Sequence, residues 1–163
     1  MEKLRIGLKL VLPKKMTRIE YNNYRGWDLP EDEKHLADDQ GFLVEYVDGG
    51  NSNHPDHDGY ISWSPKDVFD SSYKASGKMS FGMATEMAKR GYKVAREGWN
   101  GSGMFAYIVP ADSYPAKTKA ITGTFKDDLV PYRAYWALKT SQNDVSTWAP
   151  SGSDSLSDDW YVL

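Results

Sequence analysis

Ser80-Phe81-Gly82-Met83-Ala84-Thr85-Glu86-Met87-Ala88-Lys89-Arg90-Gly91, followed by Lys93-Val94-Ala95-Arg96, Gly98-Trp99-Asn100-Gly101-Ser102-Gly103-Met104 and Phe105-Ala106-Tyr107-Ile108-Val109, decides the fold of half the chain. Ser80 is a helix cap, and Phe81, Ala84, Met87 and Ala88 then recur on one face of a 3.6-residue period. Lys89 and Arg90 fall in the last turn, where cations suit the negative dipole end, and Gly91 supplies a left-handed stop. Two strands follow, 93–96 and 104–109, joined through a loop whose Asn100-Gly101 accepts positive φ in a tight hairpin.

Working outward, Tyr132 to Lys139 and Val145 to Trp148 read as a second hairpin around Gln142-Asn143-Asp144. Ser151 to Asp154 forms a capped turn, and Trp160 to Leu163 a last strand. Pro110 to Val130 lacks a regular pattern and reads as a long loop with a short strand near Ile121; such segments are often functional. Lys74-Ala75-Ser76-Gly77-Lys78 is small, polar and aperiodic, so it divides the chain into domains 1–75 and 76–163.

The first domain opens with Leu4, Ile6, Leu8, Leu10 and Leu12 alternating with Arg5, Gly7 and Lys9, a strand ended by Pro13. Thr17 and Glu20 fit a capping box for a helix to about Tyr24. Phe42 to Val47 and Tyr60 to Trp63 read as strands around the loop Asp48 to Gly59. Ser64-Pro65 then reads as an N-cap with proline at the first helical position, opening a helix to about Tyr73. The fold class is α+β, a small amino-terminal α+β module joined to a carboxy-terminal α+β domain. The halves share no residues at matching spacing, so no repeat is evident.

The chain has 163 residues, 40% apolar and 13% aromatic, enough for a packed core. No run approaches the roughly 18 apolar residues of a membrane span, and the start lacks the continuous apolar stretch of a signal peptide, so neither membrane nor export is expected. Without cysteine there is no disulfide framework, thiolate zinc site or cysteine nucleophile. A net charge of -3 argues against a groove that tracks a nucleic acid polymer, while leaving room for a small anion held by local cations.

Several side chains suit a ligand. Trp99, between a glycine and Asn-Gly, reads either as an indole that stacks on a purine for about 1 to 3 kcal/mol or as one folded back over the sheet. Asn100 offers a donor and an acceptor to a base or ribose, yet also suits a left-handed turn. Trp148, just before Ala149-Pro150, lies at the sheet rim as a pocket wall or a subunit contact. Ser151 and Asp154 fit a capping pair, and the same turn start with its amides suits phosphate or ribose, with Asp154 as a ribose ligand. Arg96, Arg133 and Lys139 are candidate phosphate cations, against surface ion pairing as the plainer reading. Tyr107 and Tyr132 are more often packing residues than stacking platforms. His54-Pro55-Asp56-His57-Asp58 raises a metal site, but matches no calcium or zinc spacing, and a solvated loop explains it better.

From Ser80 to Leu163 the chain resembles the second type of Thoeris anti-defence protein, a family of small phage-encoded proteins that sequester nucleotide immune signals. The resemblance is carried by Phe81, Ala84, Val94-Ala95-Arg96, Gly98-Trp99-Asn100-Gly101, Gly103-Met104, Pro131-Tyr132, Trp148, Ser151, Asp154, Leu156 and Asp159-Trp160. It implies one helix packed on an antiparallel sheet, a homo-oligomer (dimer or tetramer), and pockets shared between subunits. Its ligands are cyclic ADP-ribose isomers and, in some members, cyclic dinucleotides. With it, ligand contact is favoured at Trp99, and the expected ligand-binding set is Phe81, Arg96, Trp99, Asn100, Met104, Tyr132, Trp148, Ser151 and Asp154. No cofactor or catalytic residue is expected, and the site of action is the host cytoplasm. Residues 1–75 resemble an accessory module of phage proteins, through Tyr21-Asn22-Asn23-Tyr24-Arg25-Gly26-Trp27 and Gly59-Tyr60-Ile61-Ser62-Trp63-Ser64-Pro65, with no function attached.

Three function classes follow. The first is a sponge that binds a nucleotide messenger without turning it over. The second is an enzyme that cleaves the signal, using Asp154, Asp158 and Asp159 with His54 or His57. The third is a protein-interaction or virion-associated module, favoured by the aromatic-rich first half.

Overall fold

In the first unit, residues 1–74, the chain runs β1 (Val11–Lys15), α1 (Arg18–Arg25), β2 (Gly41–Tyr46), β3 (Tyr60–Pro65) and α2 (Lys66–Ser72) in a computed structural model that describes residues 3–5 and 7–163. The strands form an antiparallel sheet in the order β1-β2-β3, with Val44 opposite both Pro13 and Ser62. Side chains alternate between the faces of β2, so each face takes a helix. Leu43 joins Ile61 and Tyr21 of α1 in one buried cluster with Met16, Tyr24 and Trp63 against it. Phe42, on the opposite face, packs 4.3 Å from Phe69 of α2.

α1 starts as its residues predict, with Thr17 and Glu20 forming a reciprocal capping box, and stops at Gly26 with φ 68°. The strand expected over Leu4 to Leu12 is displaced. Ile6 lies outside the described residues, Leu4 is exposed, and β1 begins at Val11, where β2 first offers a partner. It also runs through Pro13, which is tolerated because β1 is an edge strand. Ser64 belongs to β3 opposite Phe42 rather than capping α2. Pro65 takes the cap position without a side-chain bond, and the Lys66 amide finds Gln40 O at 2.9 Å.

The second unit, residues 75–163, runs α3 (Phe81–Lys89), β4 (Val94–Arg96), β5 (Phe105–Val109), β6 (Asp112–Pro115), β7 (Leu129–Tyr132), β8 (Tyr135–Lys139), β9 (Val145–Thr147), α4 (Gly152–Ser155) and β10 (Trp160–Val162). Five strands form an antiparallel sheet in the order β10-β4-β5-β8-β9, and β6 pairs with β7 apart from it. α3 packs on β10, β4 and β5. The Ser80 hydroxyl accepts the Met83 amide, and Gly91 adopts φ 93°. Ala84, Met87 and Ala88 are buried with Val94, Ala106 and Trp160. Small alanines at the contact leave the volume that the fully buried Trp160 indole fills.

Two expectations change here. The segment 110–130 is not a loop with a strand near Ile121, which lies in turns; it is the β6-β7 hairpin, with Asp112 opposite Tyr132. Tyr132 therefore belongs to this hairpin and not to β8. The β4-β5 connection is not a tight hairpin either, since only Val94 and Ala106 pair. Positive φ falls at Gly103 (66°), not at Asn100 or Gly101.

Candidate functional site

The short β4-β5 ladder frees residues 97–104 to form a broad loop, and that loop is the front of the site. Arg96, Glu97, Trp99, Gly101, Ser102, Gly103 and Met104 line a cleft of about 420 Å³ with Tyr161 of β10. A Cβ at Gly101 would run into the Met104 side chain and stand 3.1 Å from Ser141 Cβ, so any side chain there displaces Met104. At Gly98 the same atom would lie 2.9 Å from Asp159 Oδ2.

Behind the loop sits an ion-pair network. Arg96 donates from Nε to Asp159 Oδ1 and from Nη1 to Asp154 Oδ1, both at 2.7 Å, and from Nη2 to Asp159 Oδ2 at 3.3 Å. The Gly98 amide adds a 2.9 Å bond to Asp159 Oδ2. Asp154 Oδ1 also accepts the Trp99 indole N–H at 3.0 Å, while Oδ2 accepts the Ser151 amide and hydroxyl at 3.0 and 2.7 Å. The capping box expected of Ser151 and Asp154 is present at the start of α4. Burial of Asp154 pushes its carboxyl up, but bonds from Ser151, Trp99 and Arg96 outweigh this and hold it at about 2. Asp159 is lowered chiefly by Arg96, whose own pKa is raised chiefly by Asp159.

An aromatic cluster supports the network. Trp99 meets Trp148 and Trp160 edge-on, with centroids 5.9 and 5.4 Å apart. Phe81 reaches Trp136, Trp148 and Trp160, and the Trp160 indole N–H donates to Asp154 O. Trp99 is thus folded back over the sheet and still lines the cleft.

The structure brings together Phe81, Arg96, Trp99, Met104, Trp148, Ser151 and Asp154 in this cleft-and-cluster assembly. Asn100 is exposed and not among the cleft-lining residues. Tyr132 sits on the separate hairpin, 6.0 Å from Tyr114. Lys139 and Tyr107 line a second, apolar cleft of about 350 Å³ with Phe105 and Lys93; Arg133 is exposed. Sequence reasoning did not name Glu97, Trp136, Asp159 or Tyr161 as ligand-site residues. Asp159 carried only half a signal, an Asp-Trp opening one strand as Arg96 ends another; the β10-β4 register is what puts them side by side.

A family model described as the Thoeris anti-defense 2-like domain matches residues 79–163, which contain every residue of this assembly. The chain belongs to the Thoeris anti-defense 2-like family. It is also similar to a protein named Thoeris anti-defense 2 from Bacillus phage SP01, 35% identical over 86 residues that cover 53% of this chain and 96% of that one. Its Thoeris anti-defense 2-like domain is thus an α+β fold with one main helix on an antiparallel sheet, and residues 1–78 lie outside the match.

That first part of the Thoeris anti-defense 2-like chain holds its own polar network. His57 Nδ1 bonds Glu45 Oε2 at 2.8 Å, His57 Nε2 bonds the Tyr24 hydroxyl at 2.9 Å, and the Gly59 amide donates to Glu45 Oε1. His54 stacks on Tyr24, with centroids 4.5 Å apart. The two histidines are therefore pinned to α1 and β2, while Pro55, Asp56 and Asp58 between and beside them are exposed to solvent. Among the described residues no group of three or more His, Cys, Asp or Glu is placed to hold a metal. No helix among them is long and apolar enough to cross a membrane.

Proposed function

We propose that this protein is a phage anti-defence sponge: it binds a cyclic nucleotide immune signal at the Trp99 cleft and releases it unchanged. The signal is a cyclic ADP-ribose isomer, with cyclic dinucleotides as the further class. The observation that carries the reading is a preformed cleft of about 420 Å³, of ligand size, walled by an indole fixed from behind, in a Thoeris anti-defense 2-like domain. Fixing the indole before binding removes the cost of ordering it.

Recognition rather than turnover fits the chemistry of the lining. A carboxyl held at about 2 is a feeble base at neutral pH, and Asp154 already accepts four hydrogen bonds. His54 and His57 belong to the other unit's network. The cleft is open on one side, so tight enclosure of a ligand calls for a second copy, in a dimer or tetramer acting in the host cytoplasm. Residues 1–74 then form an accessory module, and protein interaction is its alternative role.

The test is calorimetry of the purified full chain against cyclic ADP-ribose isomers and cyclic dinucleotides, followed by analysis of what heating the complex releases. A dissociation constant in about the nanomolar range, near -12 kcal/mol, is expected for a sponge that competes with a receptor. Absence of binding across the panel, or release of a linear product, refutes the reading.

A further inference from the structure

Arg96 was the natural candidate for a phosphate ligand, and its surroundings argue the opposite. Its guanidinium is claimed by two carboxylates, with Nε and Nη2 on Asp159 and Nη1 on Asp154. Both contacts of 2.7 Å are partly buried, and the arginine and Asp154 side chains are only 14% and 12% exposed. A guanidinium already neutralised twice contributes little attraction to a further anion. Glu97, next along the loop, is the carboxylate that lines the cleft itself, in front of the Asp154 and Asp159 pair that holds Arg96. Among the described residues Arg96 is the one cationic side chain of the lining and is already paired. Lys139, which lines the second cleft, donates to Gly103 O at 3.2 Å, so Glu97 and the two aspartates behind Arg96 leave the local balance negative. The remaining lining is uncharged: the Trp99 ring, Ser102, Tyr161, Met104 and the Gly101 and Gly103 backbone.

Such a wall suits flat, uncharged or hydrogen-bond-donating groups. The indole offers a stacking surface, and carboxylate, hydroxyl and backbone oxygens accept from ribose hydroxyls and base amines. A pyrophosphate here would meet net negative charge at short range.

We propose that the Trp99 cleft takes the uncharged base-and-ribose half of its ligand and excludes phosphate, with Glu97 as the residue that sets this choice and Arg96 as a positioning residue. The inference rests on the sponge reading above and deepens it. The ligand's phosphates lie outside the cleft, toward solvent or toward cations elsewhere in the assembly.

Competition calorimetry on the full-length protein tests it, with a cyclic ADP-ribose isomer that binds as the reporter, and adenosine and inorganic pyrophosphate as the competing probes. Adenosine is expected to displace the reporter and pyrophosphate to leave it in place. Glu97→Gln, which changes an exposed side chain, is expected to tighten the phosphate-bearing reporter about fivefold, and Glu97→Ala to do the same. Displacement by pyrophosphate but not adenosine, or a Glu97→Gln variant that binds the reporter no more tightly than the native chain, overturns the inference while the sponge reading stands. A native chain that binds no nucleotide of the panel overturns both.

Discussion

The indole N–H of Trp99 donates to Asp154 Oδ1 at 3.0 Å, the same oxygen that accepts Arg96 Nη1 at 2.7 Å. One carboxylate thereby fixes both the aromatic wall of the cleft and the guanidinium behind it. Its other oxygen is anchored to Ser151, so the whole arrangement is set by a four-residue helix, α4, that starts just beyond the sheet.

Removing that charge has two readouts. Asp154→Asn is expected to cost about 2 kcal/mol in chemical denaturation, because a partly buried arginine loses one of its two partners. It is also expected to weaken nucleotide binding by releasing Trp99. Trp99→Phe keeps the ring and loses one hydrogen bond, about 1 kcal/mol of stability, whereas Trp99→Ala also loses stacking and about tenfold or more in affinity. Equal binding by all three variants would show that the indole is only a packing residue.

Acid should unfold this domain through the same group. The Asp154 carboxyl is depressed to about 2 from an ordinary 3.8, so its stabilisation is complete above about pH 4 and is lost as pH falls toward 2. The sign follows from the depressed value, and the size is about 2 kcal/mol. Asp159, lowered by Arg96, adds to the same trend. Denaturant titrations at stepped pH check this: native stability should fall across that window, and in Asp154→Asn the fall should shrink.

The loop between β4 and β5 invites a sharper test. Gly101→Ala places a methyl against Sδ and Cγ of Met104, a flexible side chain that can swing aside, and 3.1 Å from Ser141 Cβ, which must give by a few tenths of an ångström. Global stability should change by less than about 1 kcal/mol, as expected where a flexible neighbour gives way. Ligand affinity should fall about tenfold, since Met104 lines the cleft. A variant that binds normally would mean that the loop side of the cleft carries no ligand contact.

Much of this was legible in the residues. The Ser80 cap, the face shared by Ala84, Met87 and Ala88, the Thr17 and Ser151 capping boxes and the Asn143 turn (φ 69°) follow from local rules and are present. What failed depends on partners. Leu4 to Leu10 alternate, but a strand needs a neighbour to pair with, and β2 ends opposite Val11. β6 and β7 are short and their loop is 13 residues long, 116–128, so neither strand stands out alone. The Arg96 network joins residues about 60 apart in sequence, a proximity that only the β10-β4 register creates.

Unit one yields a prediction independent of nucleotide. The Asn53 side chain accepts the Ile61 amide at 2.8 Å and donates to the Ile61 carbonyl at 3.0 Å, closing part of the outer edge of β3. Asn53→Ala should cost about 1 to 2 kcal/mol. Hydrogen exchange at Ile61 should quicken while nucleotide affinity stays unchanged; a change in affinity would tie this loop to ligand binding.

The most direct test of the account is to load the full chain with a cyclic ADP-ribose isomer, confirm a tight complex by calorimetry, heat-denature it and identify the released molecule. A sponge returns the intact cyclic isomer in amounts matching the bound fraction. A linearised product would make the protein an enzyme, and a chain that takes up no cyclic nucleotide would contradict the sponge outright.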